Sequence, residues 1–279
     1  MEIVKKREIR VQAFGKKCRI VIGDNRDNGI ELLALCHDEL TRLEDKFSTY
    51  LPDSITSQIN RSAGCGSYVP LDAEARSLFH YIDALREESL HLFDPTIRII
   101  SNGYDGNGKL LASADQLKKM LSLVGWDNLD ISSEGGRLAK VGMLIDLNNC
   151  VRPYALDSLR KILLKHEVTN ALIEMDQDAA TIGKQPDGAN WLVGVRVPRG
   201  SRAAIIRLKL NHKGFALRGD LEQASVHSGE NFGRALSPID GQPIPGLLSV
   251  IVIADNCLTA CSAASIARLK TEATGIKWL

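Results

Sequence analysis

No run of apolar residues reaches the ~18 needed to cross a bilayer as a helix, so no membrane span is predicted. Neither sign of charge dominates: 35 Lys plus Arg stand against 34 Asp plus Glu, a net charge of +1. That balance excludes a nucleic-acid binder relying on bulk positive charge. The Gly-x-Ser-x-Gly elbow of serine hydrolases and the Gly-x-Gly-x-x-Gly dinucleotide fingerprint are both missing. The six histidines, at 37, 80, 91, 166, 212 and 227, are scattered without a His-x-x-x-His pair. Internal repeats and low-complexity tracts are absent. No apolar stretch follows Lys5-Lys6-Arg7, so a secretory signal is not expected. The implied location is cytoplasmic as the chain stands, and periplasmic for a chain that has lost a leader.

What is there is ordinary for a globular protein: 44% apolar and 25% charged residues in a chain of 279. Length suits one domain of two interlocked lobes spanning 1–279, or two domains. Six cysteines at 18, 36, 65, 150, 257 and 261 are irregularly spaced in a long chain. They read as reduced, mostly buried thiols, not a disulfide framework.

Residues 8–23 alternate around Phe14-Gly15, predicting two strands joined by a tight passage. From Gly29, Ile30, Leu33, Leu40, Leu43 and Phe47 recur at helical spacing on one apolar face. Asp72 is placed to cap a helix carrying Ala75, Leu78, Ile82, Leu85 and Ser89 inward. A short helix with Leu117, Met120, Leu121 and Val124 follows a glycine-rich loop at 101–109. Leu144–Leu147 is a strand candidate, and Pro153 fits the first turn of a helix to about Lys165. Ala171–Met175, Trp191–Val197, Ala204–Leu210 and Leu248–Ala254 read as strands, and Leu258–Lys270 as a last helix. Without a regular βαβ beat, the class is α+β with mixed sheets and packed helices.

Gly103-x-x-x-x-Gly108-Lys109 approaches a phosphate loop, but Leu110 stands where Ser or Thr should hold magnesium, so a surface loop is the better reading. Cys257 and Cys261 lie one helical turn apart and lack the second pair of a zinc site. Asp146, Asp157, Asp176 and Asp178 fall near strand ends or helix starts, where they serve as ligands, hydrogen-bond acceptors or caps.

Several segments in order carry a resemblance. They are Ala13-Phe14-Gly15-Lys16; Phe47-Ser48-Thr49-Tyr50-Leu51-Pro52-Asp53-Ser54 with Ile59-Asn60; and Leu92-Phe93-Asp94-Pro95-Thr96. Asp146-Leu147 with Tyr154-Ala155-Leu156-Asp157, Asn170–Ile173 with Asp178, Gly183 and Trp191, and Ser249–Val252 follow. Together, over about residues 10–270, the chain resembles the ApbE family of FAD:protein FMN transferases. The resemblance implies an α+β fold with an FAD cleft between two lobes. It also implies magnesium-assisted transfer of FMN to a Thr or Ser of an acceptor flavoprotein, with AMP released. By the same resemblance Phe14 replaces a methionine beside the isoalloxazine, and Tyr50, Asp146, Arg152 and Ala235 fall at FAD-contacting positions. Leu92, Phe93 and Asp94 match the segment that meets the adenine end.

Departures from the family pattern are concentrated. The turn Gly-Gly-x-Ala-Lys-Gly reads Asn148-Asn149-Cys150-Val151-Arg152-Pro153; a Gly-Gly pair reads Asp176-Gln177; Thr-Ser-Gly reads Leu217-Arg218-Gly219. Arg234 replaces a histidine thought to help activate the acceptor. The metal positions fall on Asn149, Cys261 and Ser265, where a soft thiol replaces an aspartate. A weakened or missing magnesium site is expected. Two functions stay open: a transferase with an unusual site, or a catalytically silent flavin-binding or partner-binding protein.

Overall fold

The computed structural model describes residues 6–23, 27–105, 109–196, 204–219, 235–244 and 249–273. In chain order these form β1 (Arg7–Ala13), β2 (Lys16–Ile22), α1 (Gly29–Phe47), α2 (Ile55–Arg61), α3 (Ala73–Glu88), α4 (Arg98–Ser101) and α5 (Ala114–Leu121). Next come β3 (Leu129–Ser132), β4 (Gly135–Leu138), α6 (Asn148–Lys165), β5 (Ala171–Met175) and β6 (Asp178–Ile182). The chain continues through β7 (Trp191–Arg196), β8 (Ala204–Leu210), β9 (Gly214–Gly219), β10 (Ser249–Ala254) and α7 (Cys257–Ala273). The class is α+β, as the patterning predicts. No described helix is long and apolar enough to cross a membrane. The chain divides into two compact units, the first from residues 1–45, 149–218 and 251–264, the second from 46–148, 219–250 and 265–279.

The first unit is built on a six-stranded sheet in the order β1-β2-β5-β6-β9-β10. Neighbours from β1 to β9 are antiparallel. Ala13 pairs with Lys16, leaving Phe14-Gly15 as a two-residue turn with φ of +51° and +70°. Left-handed backbone at both positions matches the twist of the flanking strands. On one sheet face Val21, Leu172, Phe215 and Leu217 pack with Trp191, Val195 and Leu210 of the β7–β8 hairpin. The intervening residues Cys18, Ile20, Ile22, Ala171, Ile173 and Met175 are buried too. Burial on both faces explains why β5 is a near-continuous apolar run. Burial pushes the Cys18 and Cys36 thiols up to about 12. All six cysteines are free and five are buried, as expected; Cys65 is exposed.

α6 and α7 are tied by one carboxylate. Buried Asp157 accepts the N–H of Cys257 and of Leu258, each at 2.8 Å. These are unsatisfied donors at the start of α7, and the negative charge sits at the positive end of the helix dipole. Asp157 is therefore a cap. Burial raises its carboxyl pKa, and the two amide bonds pull the other way.

In the second unit α3 begins as predicted: Asp72 accepts from the Ala75 N–H, and Ala75, Leu78, Ile82 and Leu85 are buried. The glycine-rich loop closes through a Tyr104–Leu110 bridge. Asp105 accepts the Lys109 N–H at 2.8 Å, so that amide is already used within the loop; Gly108 lies outside the described residues. Ile100, Tyr104, Leu117 and Leu236 form an apolar cluster over which Met120, Leu121 and Val124 pack.

Three expectations are corrected. Leu144–Leu147 is not a strand. Its polar groups pair elsewhere: Asn60 holds both the N–H and C=O of Ile145, and the Asp146 N–H reaches the Pro95 carbonyl. Pro153 lies inside α6, because the helix begins at Asn148. Ile30 is 72% exposed, outside the apolar face of α1. Replacing Asp157 with Ala leaves one buried and one half-buried N–H unpaired and should cost ~2–3 kcal/mol. Asn, which keeps one acceptor, should cost about half. Urea unfolding of the three proteins measures this, and an unchanged midpoint for the alanine variant would contradict the capping role.

Candidate functional site

In the first unit the Phe14 side chain is fully buried beneath its strained turn. The left-handed conformation costs a non-glycine residue roughly 1–2 kcal/mol. Two side chains hold it: Glu44 accepts the Phe14 N–H at 2.6 Å, and Arg152 donates to the Phe14 carbonyl at 3.2 Å. Arg152 and Lys16 both face Asp176, at 4.0 and 3.4 Å. Asp176 has φ +55°, so the β5–β6 turn keeps the glycine-like backbone while adding a carboxylate.

Behind that turn lies a buried polar cluster. Arg218 on β9 donates to both oxygens of Asp178 on β6, at 2.8 and 3.0 Å, and to the Leu217 carbonyl at 2.8 Å. Its Nη2 also meets Cys261 Sγ on α7. The Cys261 thiol donates to the Asn149 carbonyl at 3.2 Å. That carbonyl lacks its helical partner because residue 153, four positions on, is a proline with no N–H. Burial opposes the Arg218 charge, but the facing Cys261 and Asp178 outweigh it and raise its pKa.

The second unit holds the other predicted residues. Tyr50 is 47% exposed, with the Arg98 guanidinium 5.8 Å from its ring centre. Arg98 forms an ion pair with Asp146, whose other oxygen accepts the Asn148 N–H at the start of α6. Asp94 is spent internally: it accepts from the Thr96 N–H and hydroxyl and from the Trp126 N–H. Leu92 and Phe93 are buried beside it in sequence. The Ala235 carbonyl accepts the Ile244 N–H at 2.7 Å. Ser265 follows Cys261 by one turn of α7 and is half-buried. Arg234 lies outside the described residues.

Thus Phe14 and Arg152 come together, as do Cys261 and Asn149, and Tyr50 and Asp146 are bridged by Arg98. Arg98 and Glu44 were not singled out from the sequence; Asp178 was noted as an acidic residue near a strand end and Arg218 as a departure from the family pattern, but not that the two pair. Arg218 left a readable signal, a charge at the end of the otherwise uncharged strand Gly-Phe-Ala-Leu-Arg-Gly.

The magnesium that the family resemblance implies does not fit these groups. Magnesium wants hard oxygen ligands in octahedral array. Cys261 offers a thiol already engaged with a guanidinium and a carbonyl. Among the described residues no three His, Cys, Asp or Glu side chains converge as metal ligands.

The fold and these clusters define an α+β protein with paired acidic and basic side chains at strand turns and helix starts. The ApbE family model matches residues 14–279, and the chain belongs to the ApbE family. It is 25% identical over 226 residues to the FAD:protein FMN transferase of Haemophilus influenzae, covering 77% of this chain and 65% of that one. The Klebsiella pneumoniae protein of the same name is 25% identical over 230 residues, 78% and 69%. This chain therefore spans about two thirds of the length of those relatives. The apbe protein of Thermotoga maritima has a TM-score of 0.82 at 26% identity, over 97% of this chain and 89% of that one. The flavinyl transferase ApbE of Pseudomonas stutzeri has a TM-score of 0.78 at 23% identity, over 95% and 85%.

Burial raises the Glu44 carboxyl above the ordinary glutamate range, although the Phe14 N–H works in the opposite direction. A carboxyl raised in the native state contributes stability below its unfolded pKa and loses it as pH rises through the native value. Glu44→Gln keeps an acceptor for Phe14 and should flatten that decline. Denaturant melts across the acid range test this, and identical slopes for the two proteins would contradict it.

Proposed function

We propose that this chain binds FAD and acts as a FAD:protein FMN transferase whose transfer step is weakened by its own substitutions. The observation that carries the reading is the family match over residues 14–279, with relatives named for that activity at 25% identity. The reaction joins a Thr or Ser hydroxyl oxygen of an acceptor protein to the flavin-side phosphorus of FAD. The bond from that phosphorus to the bridging oxygen breaks, AMP leaves, and the hydroxyl proton passes to a base. Tyr50, exposed and beside Arg98, offers a ring for the flavin nucleotide, and Asp146 orients Arg98 through their ion pair. Arg152, fixed between Phe14 and Asp176, keeps the positive charge of the family's lysine.

A second reading, a silent flavin-binding protein, is favoured by one specific observation: the Cys261 thiol carries a guanidinium where the family resemblance expects a metal ligand. At position 234 an arginine cannot take a proton at any working pH.

Two outcomes are expected. FAD should bind, with nearly equal affinity in magnesium and in chelator, and Tyr50→Ala should weaken binding by ~1–2 kcal/mol through lost ring contact. Calorimetry with no heat and no quenching of flavin fluorescence at saturating FAD would rule the binding out. Transfer to an acceptor domain carrying the family's target motif should be slow or undetectable. A lost electrostatic group costs ~10²–10³ in rate and a lost base ~10²–10⁴. In-gel flavin fluorescence reads the transfer, and rapid magnesium-dependent labelling would show an intact site.

A further inference from the structure

We propose that Arg218 is a resident cation that takes the place of the family's divalent metal, closing the site at Asn149 and Cys261 to metal ions. The inference rests on the family correspondence of positions 149 and 261, not on the transfer reaction. Four N–H bonds of the guanidinium are accounted for: two to Asp178, one to the Leu217 carbonyl and one to Cys261 Sγ. A guanidinium so engaged does not reach out to a ligand; it neutralises the groups that hold it. The two donors a metal would need are also spent on each other, since the thiol donates to the Asn149 carbonyl at 3.2 Å. Pro153 makes this permanent, because no helical N–H competes for that carbonyl.

Three separate departures from the family pattern thus form one constellation. Loss of the metal aspartate at 261 removes the hard ligand. Arginine at 218 supplies positive charge in a planar fork that matches the Asp178 carboxylate. Proline at 153 presents a bare carbonyl to the thiol. A divalent ion entering here would meet a fixed like charge and a soft sulfur, both unfavourable for a hard cation.

Manganese, a hard and paramagnetic stand-in for magnesium, makes the test direct. Mixed with the unmodified protein, it should keep its free-ion electron paramagnetic resonance signal, and the melting temperature should be the same in magnesium and in chelator. Cys261→Asp alone should change neither, because Arg218 pairs with the new carboxylate. Cys261→Asp combined with Arg218→Ser leaves two carboxylates and the Asn149 carbonyl without the guanidinium that neutralised them. That protein should deplete the free manganese signal at least tenfold more than the unmodified one, and magnesium should restore the signal. The proposal is overturned if the unmodified protein depletes the signal in a way that Cys261→Ala abolishes, or if its melting temperature rises with magnesium. It is also overturned if the double variant melts cooperatively and yet leaves manganese free. Should the double variant not fold, the two measurements on the unmodified protein decide alone. None of these readouts uses FAD or an acceptor, so failure here and failure of the flavin reading are distinct results.

Discussion

A buried guanidinium cannot be left without acceptors, and the interior of the first unit is arranged around that constraint. Removing one partner from a buried ion pair costs roughly 3–5 kcal/mol because the other charge is stranded. Arg218 escapes that penalty through contacts drawn from different parts of the chain: Asp178 from β6, the adjacent Leu217 carbonyl, and Cys261 from α7. The Cys261 thiol in turn donates to the Asn149 carbonyl. Asp178 and Arg218 lie on the paired strands β6 and β9 and Cys261 on α7, so this one cluster links all three elements. Asp157 fixes the same helix from its first turn, so α7 is located by two polar anchors a turn apart.

The second unit uses its acidic residues differently. Asp94 closes a turn on itself and the Trp126 amide, with all its partners inside the protein. Asp146 is bound on one side to the start of α6 and on the other to Arg98, which also lies over an exposed tyrosine ring. Of the two, Asp146 divides its oxygens between one backbone N–H and one side-chain cation, and its arginine is partly exposed. A carboxylate locked by three internal bonds is architecture first, whatever its neighbours contact.

Legibility in the sequence followed the physics of each element. Strands apolar on both faces, such as Ala171–Met175, and helices with one apolar face, such as α3, announce themselves by period. β6 did not, because Asp-Ala-Ala-Thr-Ile is short and made largely of small residues. β9 was hidden by its arginine, and the β3–β4 hairpin by two glycines at Gly135-Gly136. There the backbone of Val69 lies so close that a Cβ at Gly135 would stand 2.0 Å from its carbonyl oxygen. Leu144–Leu147 misled for the opposite reason: its apolar side chains are those of a strand, but its polar backbone is satisfied by Asn60 and Pro95. At the candidate site, residue types and order were readable. The pairing of Arg218 with Asp178 across 40 positions was not, since no local pattern encodes which strands become neighbours.

The division of the chain has a consequence for synthesis. The first unit is assembled from three separated stretches, and the longest continuous stretch of the second, 46–148, lies between two of them. β2 finds its partner β5 only when Cys18 can face Met175. On a ribosome adding ~5–20 residues per second, the amino-terminal hairpin and α1 wait many seconds for that partner, with apolar strand faces uncovered. The early hairpin is held in register meanwhile by its own ladder, by the two-residue turn at Phe14-Gly15 and by the Arg19–Glu8 ion pair across the two strands. That waiting interval, not the finished structure, is where this chain is most exposed to mispairing, and chaperone dependence should fall on its first 45 residues.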